Sequence, residues 1–149
     1  MKKILVAAFL LGFPNMVATE ENSNMVATEE NSLIRSIGPE TTLEDFAWTH
    51  RPIIVFSNSP NDINFKRQVN MLRSNIGELE ERDVVVLLDS DPKVESTLRK
   101  TLRPRGFALI LIGKDGQVKL RKPFPWDVRA LSRTIDKMSM RRQEMRAKE

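Results

Sequence analysis

Apolar residues recur along this chain in two patterns, continuous runs and helical stripes, which follow one another from residue 53 onward. Residues 53–56, 84–88 and 107–112 are continuous apolar runs, and such runs are typical of strands that are covered on both faces. A helical stripe lies between the first two runs, with apolar residues three or four positions apart at Phe65, Val69, Leu72, Ile76 and Leu79. The pattern therefore predicts a strand, one helix and a second strand.

Shorter stripes predict helices in three other segments. Thr41 and Glu44 have the spacing of a capping box, and an apolar face continues from them to about Thr49. Two more helices are predicted from apolar residues at helical spacing, one from Val94, Leu98 and Leu102 and the other from Val128, Leu131, Ile135 and Met138. The basic residues 141–148 follow, and we expect them to form a frayed tail.

A hairpin is predicted after the third apolar run. Residues 114–117 contain an Asp-Gly pair, which favours a tight turn, so the next four residues should pair antiparallel with the preceding strand. Strict alternation would place Val118 and Leu120 on the inner face and set Lys119 and Arg121 side by side on the solvent face. Charges in that position also suit an edge strand, because they discourage further pairing.

The order of the elements predicts an α/β fold for residues 41–149. Two strands joined through a helix should be parallel, with a right-handed crossover, and the hairpin adds an antiparallel edge. This is the thioredoxin-like (peroxiredoxin-like) arrangement of a mixed four-stranded sheet flanked by helices. A ferredoxin-like or a small flavodoxin-like sheet is the alternative.

The first residues have the pattern of a secretory signal peptide. Lys2 and Lys3 precede the uncharged residues 4–13, a run about half the ~20 apolar residues that a transmembrane helix needs. We therefore predict a signal peptide at residues 1–18, a periplasmic or secreted protein, and no transmembrane segment. The alternatives are an uncleaved apolar N-terminus and a buried first strand.

A nine-residue repeat follows. The sequence NMVATEENS occupies residues 15–23 and again residues 24–32. Two short polar copies cannot stack into a core, so the favoured interpretation is a disordered linker over residues 19–40. A recognition peptide doubled for avidity is the alternative.

Composition excludes several chemistries. The chain has no Cys, no Tyr and one His, so it forms no disulfide, no thiolate centre and no cage of several histidines. It also lacks a phosphate-binding loop and a dinucleotide fingerprint. The sequence therefore indicates no catalytic residue, no metal site and no cofactor.

Three polar features are candidate sites. Asp89 and Asp91 end a predicted strand and could bind a hard cation or act as an acid–base pair, but an ordinary turn with helix-capping carboxylates is favoured. His50 has no nucleophile or second acid near it in the sequence, so a half-buried or surface role is favoured. The loop at residues 57–62 follows the first strand and is rich in turn-forming residues.

Positive charge is concentrated after residue 113. Residues 114–149 contain eleven Lys and Arg against five Asp and Glu, a net charge of +6, whereas the preceding residues sum to −2. Lys114, Lys119 and Arg121 are the candidate residues for binding an acidic protein or an anionic envelope ligand. The same residues are also explained without a binding partner, as charges that prevent the edge strand from pairing with another chain and as a solvent-exposed face. Nucleic acid is disfavoured, because no aromatic residues are interleaved with the charges.

Two motifs carry a resemblance to a known family. They are Gly-Lys-Asp-Gly at residues 113–116 and Met-x-Met-Arg-Arg-Gln-Glu-Met at residues 138–145, and residues 48–56 and 81–88 support them. From Leu43 to its C-terminus the chain resembles an uncharacterised thioredoxin-like family of exported bacterial proteins. The same domain of unknown function is shared with secreted animal matrix proteins that carry sushi repeats or coiled coils. The resemblance implies a thioredoxin-like fold with no established activity.

The chain departs from redox thioredoxins at the residues that carry out the chemistry. Their cysteines follow the first strand of the βαβ unit, where this chain has the 57–62 loop, and a serine hydroxyl such as that of Ser59 does not cycle through disulfides. Thiol oxidoreductase and peroxidase activities are thus excluded for the chain acting alone. A non-catalytic binding module is the favoured function. The alternative is an enzyme with a polar site at the 57–62 loop and the 89–91 edge.

Overall fold

The three continuous apolar runs form the centre of a five-stranded mixed sheet. A computed structural model describes residues 32–149, so the predictions for residues 1–18 and for the repeat up to residue 31 lie outside the described residues. The strands are β1 (Ile34–Ser36), β2 (Arg51–Phe56), β3 (Val84–Asp89), β4 (Ala108–Ile112) and β5 (Val118–Lys122). Their order in the sheet is β1-β3-β2-β4-β5; the first three run parallel to one another, and β4 pairs antiparallel with both β2 and β5.

Residues 32–149 contain five helices, and four of them cover the two faces of this sheet. The five helices are α1 (Ile63–Arg73), α2 (Ile76–Glu80), α3 (Thr97–Leu102), α4 (Val128–Asp136) and α5 (Ser139–Ala147). Helices α1, α2 and α4 bury their apolar stripes on one face, against residues such as Ile53, Val86 and Leu111. Phe46 and helix α3 cover the other face, against residues such as Ile54 and Ile110. The α/β thioredoxin-like fold predicted from the sequence is confirmed.

The number of strands differs from the prediction. The sequence analysis places residues 34–36 in the linker and predicts four strands, and the structure corrects both points. Ile34 pairs in parallel register with Val86, and Leu33 and Ile34 pack against the core. Three residues are too few to establish an alternating pattern, so this edge strand gives no clear signal in the sequence.

Three predicted helices are shorter than the sequence patterns indicate. Helix α3 begins only at Thr97, because Val94 lies in a separate 3₁₀ turn at Pro92–Val94. The stripe from Phe65 to Leu79 is divided, because Ser74 Oγ and Asn75 Nδ2 donate hydrogen bonds to the carbonyl groups of Asn70 and Met71 and so end α1. The segment expected to be helical from residue 41 forms only a 3₁₀ turn at Glu44–Phe46. Trp48 then adopts a φ of 65°, which ends any helix there.

The basic hairpin forms as predicted, but with a β-bulge. Its register pairs Leu111 with Leu120 and Ile112 with Val118, and it skips Lys119. Paired residues share a face of the sheet and consecutive residues do not, so Val118 and Leu120 lie on opposite faces. Leu120 packs against the core, whereas Val118 is 48% exposed. The expectation that both residues point inward is therefore wrong. The expectation that Lys119 and Arg121 lie side by side is also wrong, because Lys119 pairs with Asp115 in the hairpin turn and Arg121 donates to the carbonyl oxygen of Leu102 at the end of α3.

The C-terminal segment is ordered. Residues 139–147 form α5, not a frayed tail, and Arg141 is only 2% exposed. This arginine is the one buried residue of α5, so the helix is held by charged side chains and not by an apolar stripe. The sequence analysis missed this because it treated the basic residues as solvated.

Candidate functional site

Side chains of several elements meet at the two ends of the central strands. We call the side of the sheet at which β2 and β3 finish the carboxyl edge, and the side at which they begin the amino edge. In thioredoxin-like folds the redox cysteines follow the strand equivalent to β2, so the carboxyl edge is the first place to look for chemistry. The 57–62 loop lies there, immediately before α1 (Ile63–Arg73).

The polar side chains of the 57–62 loop serve the backbone. Ser57 is fully buried, and its Oγ donates to the carbonyl oxygen of Ser59 at 2.7 Å. Ser59 Oγ accepts from the backbone N–H of Asn61, and Asp62 caps α1 by accepting from Phe65 N at 2.9 Å. None of these groups is paired with a base, so none is activated as a nucleophile.

Asp89 is the buried carboxylate of the carboxyl edge, and an arginine of α3 neutralises its charge. Arg99 reaches its two oxygens at 2.7 and 3.3 Å, and Ser96 Oγ donates to it at 2.7 Å. The same guanidinium group also donates to the carbonyl oxygen of Ser57, which ties the loop to α3. The ion pair with Arg99 therefore engages the carboxylate that the enzyme hypothesis requires as an acid, a base or a cation ligand.

Asp91 and His50 have ordinary structural positions. Asp91 caps the 3₁₀ turn at Pro92–Val94 by accepting from Lys93 N, which confirms the turn interpretation. A cavity of about 200 Å³ lies beside Asp89 and Asp91, but across residues 32–149 no cluster of three or more His, Asp or Glu could hold a metal ion. His50 is exposed, with its Nδ1 3.0 Å from Thr49 Oγ1.

The amino edge holds a cluster of buried ion pairs centred on Glu144. One of its oxygens accepts from Arg51 Nη2 at 2.9 Å and from Lys114 Nζ at 2.7 Å. Lys114 also pairs with Asp83 at 2.8 Å, and Arg51 donates to the carbonyl oxygen of Arg82. The side chains of Arg51 and Lys114 are only 1% and 10% exposed. These pairs join α5 to the start of β2 and to the hairpin turn.

A second group of ion pairs extends the cluster along α4. Arg82 donates two hydrogen bonds to Asp136, at 2.9 and 3.0 Å. Arg141 also reaches Asp136, at 3.3 Å, as well as Glu81 and the second oxygen of Glu144. We refer to these eight residues together as the amino-edge cluster; they are Arg51, Glu81, Arg82, Asp83, Lys114, Asp136, Arg141 and Glu144.

Electrostatics within the cluster favour its charged forms. Burial by itself would raise the pKa of Glu144, but hydrogen bonds from Arg51 and Lys114 outweigh it and hold that pKa below its ordinary value. Burial by itself would raise the pKa of Asp136, but the hydrogen bonds and charges of Arg82 and Arg141 outweigh it, so this pKa is also lowered. The hydrogen bonds that Arg82 donates to Asp136 raise the pKa of Arg82.

The three candidate binding residues of the basic hairpin all have partners within the chain. Lys114 belongs to the amino-edge cluster. Lys119 Nζ pairs with Asp115 at 2.8 Å and stays 30% exposed, and its hydrogen bond lowers the pKa of Asp115. Arg121 donates to the carbonyl oxygen of Leu102 at 2.6 Å. The hairpin thus brings Lys114 and Lys119 to the amino edge and directs Arg121 to the C-terminal end of α3.

The strongest polar feature of the amino edge was missed in the sequence analysis. Arg51 lies in a strand next to Pro52, where nothing marks it as buried, and its partner Glu144 is 93 positions away. The signal available was the motif pair: the Gly-Lys-Asp-Gly hairpin supplies Lys114, and the Met-x-Met-Arg-Arg-Gln-Glu-Met segment supplies Arg141 and Glu144. The structure brings these two motifs into direct contact.

Fold and site together define a cysteine-free thioredoxin-like domain. The family model described as "Domain of unknown function (DUF4174)" matches residues 42–144, more than two thirds of the chain. The chain belongs to this family. It is also similar to coiled-coil domain-containing protein 80 of Danio rerio, at 28% identity over 136 residues. That match covers 71% of this chain and 16% of the length of that relative.

Solved structures support the fold. The 2-Cys peroxiredoxin of Plasmodium vivax in its reduced form aligns with a TM-score of 0.56 and 13% identity, over 70% of this chain and 85% of that one. Reduced desulfothioredoxin from Desulfovibrio vulgaris Hildenborough aligns with a TM-score of 0.52 and 20% identity, over 70% of this chain and 97% of the other. At these identities the likeness concerns the fold alone. Within residues 32–149, no helix has the length and apolar content required to cross a bilayer.

Proposed function

We propose that this protein is a non-catalytic binding module built on a thioredoxin-like fold. The observation that carries the proposal is the contrast between the two edges of the sheet. At the carboxyl edge, the side chains of Ser57, Asp62 and Asp89 are engaged in hydrogen bonds with their own chain. At the amino edge, the two family motifs meet beside a basic hairpin. The specific sequence features thus lie away from the place of redox chemistry.

Enzyme assays test the non-catalytic part of this proposal. Because the chain has no Cys, purified protein should neither reduce insulin disulfides nor consume peroxide faster than buffer. Metal-stripped, homogeneous protein that turns over either substrate would refute it. Hydrolytic turnover that is lost in Asp89→Asn and retained in Glu144→Gln would instead favour the alternative, an enzyme acting at the 57–62 loop and the 89–91 edge.

We propose an acidic protein or an anionic envelope ligand as the partner, bound through the basic hairpin. Support comes from the net charge of +6 on residues 114–149 and from the position of Lys119 and Arg121 on a rigid two-stranded ribbon. Side chains on such a ribbon lose little conformational freedom on binding. Exposed charges also accelerate association with an acidic surface, and salt weakens that effect.

A charge reversal with a matched control tests the partner surface. The mature protein is used to capture partners from a periplasmic extract, and the partners are identified by mass spectrometry. Lys119→Glu with Arg121→Glu should slow association with a captured acidic partner and flatten its salt dependence. Arg146→Glu with Lys148→Glu makes the same change in net charge on exposed residues of the C-terminal end and should have a smaller effect. Equal effects of the two double variants would refute a contact at the hairpin.

We also propose that the protein is exported, like the bacterial proteins of the family that its sequence resembles. The basic Lys2 and Lys3 followed by the uncharged residues 4–13 support this proposal. Protein from a periplasmic fraction should begin near Thr19 or Thr28 on N-terminal sequencing. Intact Met1 on protein that fractionates with the cytosol would count against export.

A further inference from the structure

A cavity of about 270 Å³ lies between the hairpin turn and the first turn of α5, at the amino edge. Its walls come from the start of β2, the hairpin and the segment that joins α4 to α5. The volume falls just below the range of about 300–1,000 Å³ that is usual for drug-sized ligands, so it suits a small group. The lining residues are Arg51, Gly113, Lys114, Asp115, Lys119, Met138, Ser139 and Met140.

Hydrogen-bond donors converge on this cavity from α5 and from the hairpin. Helix α5 begins there without a side-chain cap, so the first backbone N–H groups of its nine residues lack an intrahelical acceptor. The hydroxyl group of Ser139 also has no partner among residues 32–149. Arg51 is fully buried in the wall, where its Nε is closed to solvent and has no hydrogen-bond acceptor within the same residues. Lys119 adds an ammonium group that stays 30% exposed.

The electrostatics around the cavity favour an anion. Arg51, Lys114 and Lys119 contribute three positive charges to its lining, and Asp115 contributes one negative charge. Glu144 and Asp83 lie behind the lining and offset the other two, through their pairs with Arg51 and Lys114. These charges therefore balance, and the N-terminal end of α5 adds the partial positive charge of its helix dipole, which favours an anion.

The remaining walls are apolar. Met138 and Met140 line the side opposite the hairpin, and thioether side chains adapt to the shape of an apolar group. These methionines are the Met-x-Met of the family motif, and Lys114 belongs to the Gly-Lys-Asp-Gly motif. A single ligand would therefore contact both motifs.

We propose that this cavity binds one carboxylate group carried on a short apolar stem. The carboxylate would take the donors of Lys119, Ser139 and the α5 N-terminus, and the stem would lie against Met138 and Met140. Such a group is found on a small carboxylic acid and at the C-terminus of a peptide that ends in an apolar residue. This inference rests on the proposed binding function and specifies what the hairpin end recognises.

The test uses small probes, because no partner is needed for it. Labelled protein comprising the whole mature chain is titrated with hexanoate, acetate and hexanol at constant ionic strength, and amide and methionine-methyl NMR signals are followed to about 50 mM. Hexanoate should shift the amide signals of Ser139 and Met140 and the methyl signals of Met138 and Met140. Acetate lacks the stem and hexanol lacks the charge, so each should bind more weakly.

Three variants are expected to change the affinity for hexanoate in different ways. Lys119→Met should weaken hexanoate binding about threefold to tenfold, since it removes a partly exposed cation from the wall. Asp115→Asn should strengthen binding about threefold, because it removes the negative charge that holds Lys119 and keeps the oxygen that accepts from Gln117 N. Lys122→Met is the matched control on the same strand, and it should change binding less than about twofold, because Lys122 lies over the Trp126 ring at 4.0 Å and outside the cavity.

Two further probes separate the sources of the carboxylate. A short peptide with a free C-terminal leucine and the same peptide with an amidated C-terminus are titrated as hexanoate was. Binding of the free-acid peptide but not of the amide assigns the site to a chain terminus, and binding of hexanoate alone assigns it to a small acid.

Three outcomes would overturn the inference. They are no shift at residues 138–140, equal effects of Lys119→Met and Lys122→Met, or equal binding of hexanoate and hexanol. The proposed function fails separately, through turnover or through a hairpin reversal that leaves partner binding unchanged.

Discussion

Removing the charge of Glu144 tests whether the amino-edge cluster holds α5 in place. Glu144→Gln keeps the shape of the side chain and one acceptor oxygen, but it leaves Arg51 and Lys114 as buried cations without their shared counter-charge. Breaking a fully buried ion pair costs about 3–5 kcal/mol. The Glu144 side chain is 23% exposed and one hydrogen bond can remain, so we expect a loss of about 2–3 kcal/mol.

Urea unfolding at pH 7, followed by far-ultraviolet circular dichroism, measures this loss directly. In a domain of this size it corresponds to a fall in Tm of roughly 8–12 °C. Gln143→Ala is the matched control on α5, since Gln143 is exposed and its side chain forms no hydrogen bond within residues 32–149, and it should change stability by less than about 0.5 kcal/mol. The loss should persist in high salt, because buried pairs are poorly screened. If Glu144→Gln were as mild as the control, the cluster would not hold the helix.

Three further predictions concern other parts of the structure. Folding lowers the pKa of Glu144, so the stability that its carboxylate contributes is complete above the ordinary pKa of 4.5 and is lost as the pH falls through the pKa of the folded state. When unfolding is measured from pH 7 to pH 2, the free energy of unfolding of Glu144→Gln should therefore become equal to that of the unsubstituted protein at the acid end. Val86→Asp places an unpaired carboxylate in a central strand and should cost several kcal/mol, and unchanged thermal unfolding would reject the strand assignment. Asp62→Ala removes the cap of α1 and should cost about 1 kcal/mol, whereas Asp62→Asn should restore most of it.

Continuous apolar runs made the centre of the fold predictable. The runs at residues 53–56, 84–88 and 107–112 correspond to β2, β3 and β4, because a strand that is covered on both faces must be apolar throughout. The edges were less predictable. Strand β1 has only three residues, and the bulge at Lys119 depends on register, which the alternation of residue types does not encode.

The amino-edge cluster could not be predicted from local patterns. Its pairs join residues that are far apart in the chain, such as Lys114 and Asp83 at a separation of 31, so no periodicity links them. A basic segment looks the same in the sequence whether its charges are solvated or neutralised by distant carboxylates. The one available signal, which does not by itself predict an ion pair, is that the two motifs of the family resemblance contain Lys114, Arg141 and Glu144.

The way α5 is attached affects where the domain can be cut. Its single buried residue is Arg141, so the helix adds little apolar surface to the core, and a boundary chosen by hydrophobic content would end the domain after α4. A chain cut there would lose the carboxylate of Glu144 while Arg51 and Lys114 stayed in place. We therefore expect the smallest stably folded part of this protein to include α5, because charge neutrality at the amino edge depends on Glu144.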